Sequence, residues 1–254
     1  MNERLGKLIA RHDWIAGKVR AFTAGSVAPA LRMQAIRILM KGRQRLLQAT
    51  EDFAAKNLEQ EANAAFTMAT MLQSTQGLLT MWDAFTAGKF SDAWKALIEG
   101  QDAARAALSY SSGAGGCEIQ LGKMIELERL LFPHQAFFSP SLVILEERCS
   151  ICDEILDGCP HMPGRLYCGK PCRGKVIRFY VDSVGLVDNP ADKQCYARQF
   201  PAHNGFMRDC FTRKLLRDAE KKKSETALLL VSSYMRDFVI TDEVVASLSP
   251  SLPS

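Results

Sequence analysis

Between residues 149 and 172 the chain places Cys149-Ser-Ile-Cys152, Cys159-Pro-His161 and Cys168-Gly-Lys-Pro-Cys172, which gather five of its eight cysteines and one of its four histidines into 24 residues. Two cysteines separated by two residues can turn both sulfurs toward one cation from a tight backbone knuckle. A second group about ten to twenty residues further on closes a tetrahedron of soft sulfur and nitrogen donors, the arrangement that zinc prefers. This stretch is therefore expected to fold around a metal ion, and the rest of the chain has to accommodate it.

Six side chains compete for what is most simply one four-coordinate Zn²⁺. Cys149 and Cys152 come first, because their spacing forms the knuckle with little strain. Cys172 follows, presented by the turn at Gly169 and Pro171, with Cys168 as its competitor. His161, between Pro160 and Met162-Pro-Gly164, is favoured as the fourth ligand, with Cys159 competing for that place. Thiolates predominate and no HExxH motif is present, so the zinc is expected to be structural rather than catalytic. The cysteine spacing resembles that of treble-clef and zinc-ribbon modules. Cys117, Cys195 and Cys210 lie outside the cluster and read as buried free thiols.

The remaining sequence sets the context. A chain of 254 residues, 47% of them hydrophobic, can bury a substantial core. Its start, MNERLGKLIARHDW, carries no apolar segment of secretory type, and its longest aliphatic runs are far too short to cross a bilayer, which takes ~20 residues. A soluble cytoplasmic protein without membrane partners is expected, in a reducing compartment where cysteines serve as metal ligands and core residues.

From about Asn2 to Tyr110, Gly and Pro are sparse and helix formers dominate. Pro29 suits the first turn of a helix running to about Ala49, with Leu31, Ala35, Ile38, Leu39 and Leu46 as its core side. Thr50, followed by Glu51 and Asp52, looks like the cap of the next helix, through Phe53, Phe66, Met71 and Leu78. Gly88 breaks that helix, and Ser91 caps another through Trp94, Leu97, Ala104 and Leu108. Ser111 to Gly116 reads as a flexible linker. Glu118 to Phe132 should be helical up to Pro133, Leu142 to Leu145 a strand, and Val176 to Val187 one or two short strands. Phe206 to about Phe238 reads as a long helix, followed by a frayed tail. The expected fold is mainly α: a helical domain over 1–116, a connecting helix and strand over 117–148, a small zinc-stabilised α+β module over 149–205, and a C-terminal helix and tail over 206–254.

Charge is distributed unevenly. Residues 1–49 hold ten basic and two acidic side chains, whereas residues 50–148 hold seven basic and thirteen acidic. On the helix after Pro29, Arg37, Lys41 and Arg45 recur at intervals of four and form a basic stripe. Such a stripe suits phosphate oxygens or an acidic protein surface equally well.

Downstream of the cluster, Val184-Gly-Leu-Val-Asp-Asn-Pro-Ala191 resembles a short segment of the phage prohead maturation proteases, in which a serine is the nucleophile. Gly185 stands at the serine position, and Ser183 lies two residues early. The resemblance implies a bacterial or phage-encoded protein related to a hydrolase that has lost its nucleophile, so no catalysis is expected. Walker, Rossmann and GxSxG motifs are absent, and no small-molecule substrate is indicated. The sequence thus points to a non-catalytic zinc-binding adaptor or assembly factor with a protein partner. Direct DNA or RNA binding through the basic helix and zinc module is the alternative, and a degenerate or unrecognised hydrolase the third reading.

Overall fold

The computed structural model describes residues 3–202 and 206–216. It is mostly α-helical with a small α+β part. Five helices come first in the chain: α1 (Glu3–Arg20), α2 (Pro29–Ala54), α3 (Glu59–Thr86), α4 (Phe90–Tyr110) and α5 (Gly116–Leu131). Among the described residues no helix is long and apolar enough to cross a membrane.

Pro29 does open α2, since a first-turn residue needs no N–H donor. The helix nevertheless runs past Thr50, contrary to the cap expected there. Thr50 is buried and its hydroxyl donates to Leu46 O at 2.9 Å, so it serves the helix interior rather than its start. The break falls at Ala55–Leu58, where Asn57 takes a left-handed φ of 54°. The core stripe of α2 also differs from expectation. Ala35, Leu39 and Leu46 are buried, but Leu31 and Ile38 are exposed, and Arg32, Ile36, Ala49 and Phe53 complete the inner face. α1, α2 and one side of α3 share one apolar core, built on Ile15, Leu39, Phe53 and Leu72.

α3 is sandwiched between α2 and α4. Its approach to α4 is close because Gly77 and Gly100 meet: a Cβ on Gly77 would fall 2.6 Å from Gly100 Cα. Gly88, at φ +73°, ends the α3 turn. α4 starts at Phe90, and Ser91 lies inside it instead of capping it, its hydroxyl 2.9 Å from Tyr196 Oη. The expected linker 111–116 holds a 3-10 turn, Ser112–Ala114, with Ala114 fully buried.

Beyond α5 the chain forms strands. β1 (Phe137–Cys149) and β4 (Gly174–Val187) pair antiparallel as a long two-stranded ribbon. Between them lies the hairpin of β2 (Leu166–Tyr167) and β3 (Lys170–Pro171). β5 (Gln199–Pro201), β6 (Met207–Asp209) and β7 (Leu215–Leu216) make a three-stranded meander. Residues 206–216 are therefore strand and turn, not the start of a helix; Asp209 accepts from the N–H groups of Phe211 and Thr212 and fixes that turn. The rest of the expected C-terminal helix lies outside the described residues.

A second core holds these parts together. The Trp94 ring meets Phe132, Phe137, Tyr196 and Phe211 at centroid separations of 5.3–6.2 Å, and its indole N–H donates to Lys193 O at 2.9 Å. One aromatic side chain of α4 thus binds the start of β1, the 192–197 loop and the meander. Truncating such a residue costs about 3–5 kcal/mol.

Candidate metal centre

The cysteine cluster sits at the base of the ribbon. Cys149 is the last residue of β1 and pairs with Gly174, the first of β4, so Cys172 is two residues from the same point. The chain leaves β1 through a tight knuckle: Cys149 N donates to Glu154 O at 2.8 Å, Asp153 N donates to Cys149 O at 2.9 Å, and Asp153 adopts φ 62°. Ser150 locks the knuckle onto the returning strand, its N–H donating to Arg173 O and its hydroxyl to Pro171 O.

This geometry brings together the donor atoms of Cys149, Cys152, Cys159 and His161, all within 4.8 Å of one another. Cys172 Sγ stands 3.7 Å from Cys149 Sγ. Such a group of side chains can hold a metal ion. Two observations fit that role. The donor set is four thiols and one imidazole, the soft ligands of tetrahedral sites. His161 Nδ1 is buried and has no hydrogen-bond partner, while its ring packs edge-on against Tyr167 at 4.6 Å. An orphaned buried nitrogen is costly unless something electrophilic meets it.

The thiols differ in their readiness to ionise. Burial opposes ionisation of Cys149, but the N–H groups of Cys152 and Ile151 and the thiols of Cys159 and Cys172 outweigh it and bring its pKa down to about 6. Burial and then the neighbouring Cys149 push Cys172 up to about 11. Burial also raises Cys159, with Cys149 and Cys152 adding to the effect. One thiolate is thus held in a nest of amides while Cys159 and Cys172 keep their protons, a balance that a bound dication inverts.

Cys168 stands apart for a backbone reason. It and Gly169 form the two-residue turn of the β2–β3 hairpin, with φ of 48° and 74°, the left-handed pair that such tight hairpins require. The tip packs on the bundle: a Cβ on Gly169 would run into Thr50 Cγ2, and Asn63 of α3 clasps the turn. Asn63 escaped the sequence reading, its one signal being an amide inside an alanine-rich helix.

Arg37, Lys41 and Arg45 are exposed on α2, far along the chain from the cluster. Arg37 and Lys41 line a groove of about 460 Å³ with Met40, Arg43, Gln44 and Leu47 of the same helix and Gln76 of α3. Arg32 does not join them. It is fully buried, donating to Gly25 O, Val27 O and Thr86 Oγ1. Gly185 and Ser183 lie in β4 opposite Ser139 and Ser141. Compared with known protein families, curated proteins and solved structures, the chain matches none.

Proposed function

We infer that this chain is a non-catalytic zinc-binding adaptor whose metal centre fixes a scaffold and whose α2 groove recognises a protein partner. The zinc takes its four ligands from Cys149, Cys152, Cys159, His161 and Cys172, joining knuckle, hairpin and ribbon base at one point. A site of this kind contributes folding energy and leaves no open coordination position for a substrate.

The observation that carries the partner reading is the composition of the groove. Arg37, Lys41 and Arg43 stand beside Met40, which is 53% exposed, and Leu47. Cations next to a flexible thioether suit an acidic, amphipathic protein segment. A phosphate backbone would use the cations and leave the apolar floor unfilled, so direct nucleic-acid binding is the less favoured use of this face.

The test is affinity purification of the full chain from its native cell, compared with a variant carrying Arg37→Glu, Lys41→Glu and Arg45→Glu. A stoichiometric protein retained by the wild type and absent from the variant supports the adaptor reading. Retention by both removes the stripe from it. A DNA or RNA shift whose affinity falls steeply with salt gives the face to nucleic acid instead, provided the variant's salt slope is shallower by about one unit for each phosphate it no longer neutralises.

A further inference from the structure

A second surface, separate from the α2 groove, lies along β1. A cleft of about 620 Å³ opens between the ribbon and the helical bundle, within the size range of ligand and peptide sites. Its roof is Phe138, Ser139, Pro140 and Leu142 of β1; its floor is Phe66 of α3 and Ala103, Ala106 and Tyr110 of α4. None of its lining comes from β4, so the cleft follows the side of β1 turned away from its partner strand.

The backbone there is arranged as a third-strand lane that begins and then stops. Phe138 N donates to Cys195 O and Ala197 N donates to Ala136 O, so residues 195–197 pair antiparallel with the start of β1. The pairing ends because Cys195 N turns back to Asp192 O. From Phe138 the outward-facing positions alternate to Pro140, Leu142 and Ile144. Pro140 has no N–H to offer, as befits an edge strand. Among the described residues, no backbone partner outside the ribbon meets the N–H groups of Leu142 and Ile144.

The same four residues present an apolar face. Opposite them in register stand Leu186, Val184, Val181 and Phe179, with Asp182 as the extra residue of a bulge. Ile144, Val184 and Leu186 remain 47%, 58% and 66% exposed. A two-stranded ribbon with one continuous apolar face and an open edge is a template for an added strand.

The mouth of the lane is acidic. Glu99, Asp102 and Asp192 line it with Arg173, and Arg105 pairs with Asp102 at 3.0 Å, leaving carboxylates in excess. Asp102 keeps half its side chain in solvent, yet burial raises its pKa; Arg105 and Lys193 oppose that rise, and the Asp192 carboxylate adds to it. Two carboxylates that repel each other are relieved by a cation placed between them.

We propose that this cleft binds an extended peptide segment of a protein partner, which adds a strand to the edge of β1 and sets a Lys or Arg between Asp102 and Asp192. Alternate apolar side chains of the peptide cover the bundle floor at Phe66 and Tyr110. Its backbone meets Leu142 and Ile144.

The probe is a fluorescein-labelled peptide, Val-Thr-Val-Thr-Val-Lys amide, titrated into the full-length zinc-loaded protein, with a Glu-for-Lys peptide as control. The Lys peptide should bind at least about tenfold more tightly than the Glu peptide. It should also slow hydrogen exchange at the amides of Leu142 and Ile144. Ala106→Trp fills the floor from an accessible side of α4 and should abolish binding with helical content and metal content unchanged. Asp102→Asn with Asp192→Asn should erase the preference for Lys. Equal binding of the two peptides, unprotected Leu142 and Ile144 amides, or full binding by the Ala106→Trp protein overturns the proposal. So does concentration-dependent dimerisation that Ala106→Trp blocks without any peptide binding, which gives the lane to a second copy of the chain.

Discussion

Asn63 and Gly169 join the cysteine-rich module to the helical bundle. The Asn63 side chain accepts from Gly169 N–H at 2.7 Å and donates to Leu166 O at 3.2 Å, so one amide satisfies both sides of the hairpin tip. The hairpin in turn delivers Cys172 to the base of the ribbon. A helix residue more than a hundred positions away thereby orients the last cysteine of the cluster.

Asn63→Ala should cost about 1–3 kcal/mol, the penalty for leaving a partly buried N–H and carbonyl unmet. Denaturant titration checks the stability. Zinc transfer to a chromogenic chelator should also be faster in the variant than in the wild type. Unchanged transfer would mean that the hairpin holds Cys172 without the clasp.

The purified protein should contain about one equivalent of zinc, measured by elemental analysis of material prepared without chelator. Cys149→Ser and Cys152→Ser should lose the metal and melt well below the wild type. Cys117→Ser should keep its zinc, because Cys117 lies in the α4–α5 core where burial holds its thiol neutral. Equal zinc content in all three variants would contradict the ligand assignment.

Two arginines five positions apart should behave oppositely. Arg32→Ala removes the donor to Gly25 O and Val27 O and opens a cavity, which together should cost about 2–4 kcal/mol. Arg37→Glu, on the exposed side of the same helix, should stay within about 0.5 kcal/mol of the wild type. Thermal melts of the two variants settle the contrast.

Asp102 gives a pH prediction with a definite sign. Burial, with a smaller push from Asp192, raises its pKa in the folded state above the ordinary 3.8 against the opposing pull of Arg105 and Lys193. Its favourable contribution is therefore fully present below pH 3.8 and is lost as pH rises through the folded value. Asp102→Asn should accordingly raise the melting temperature at pH 7, by about 2 °C or less because the side chain is half exposed. The gain should vanish toward pH 3.8. A variant that melts below the wild type at pH 7 would show that the Arg105 ion pair outweighs the repulsion.

Local chemistry made much of this protein legible in one dimension. The knuckle spacing of Cys149 and Cys152 placed two of the clustered donors. Pro29 marked the start of α2, Gly88 the end of α3, and Pro133 the limit of α5, because each acts on its own backbone. The exposed stripe of Arg37, Lys41 and Arg45 followed from helical period alone. Where local preference competed with burial, burial decided. Thr50 has the chemistry of a cap, but the core claimed it and its hydroxyl turned back to Leu46. Residues 206–216 have helical composition, yet pairing with β5 and the packing of Phe211 on Trp94 made them strands. Arg32 belongs to the basic end by composition and to the interior by position, since only the fold brings Gly25, Val27 and Thr86 around one guanidinium. Cys168 and Cys172 are equivalent as residues, and a left-handed turn pressed against Thr50 separates them. Sequence fixes what each residue can do within a few bonds of itself. The hydrogen bond between Asn63 and Gly169, and the cleft that Asp102 shares with Asp192, depend on distant segments meeting, and chain spacing carries no record of that.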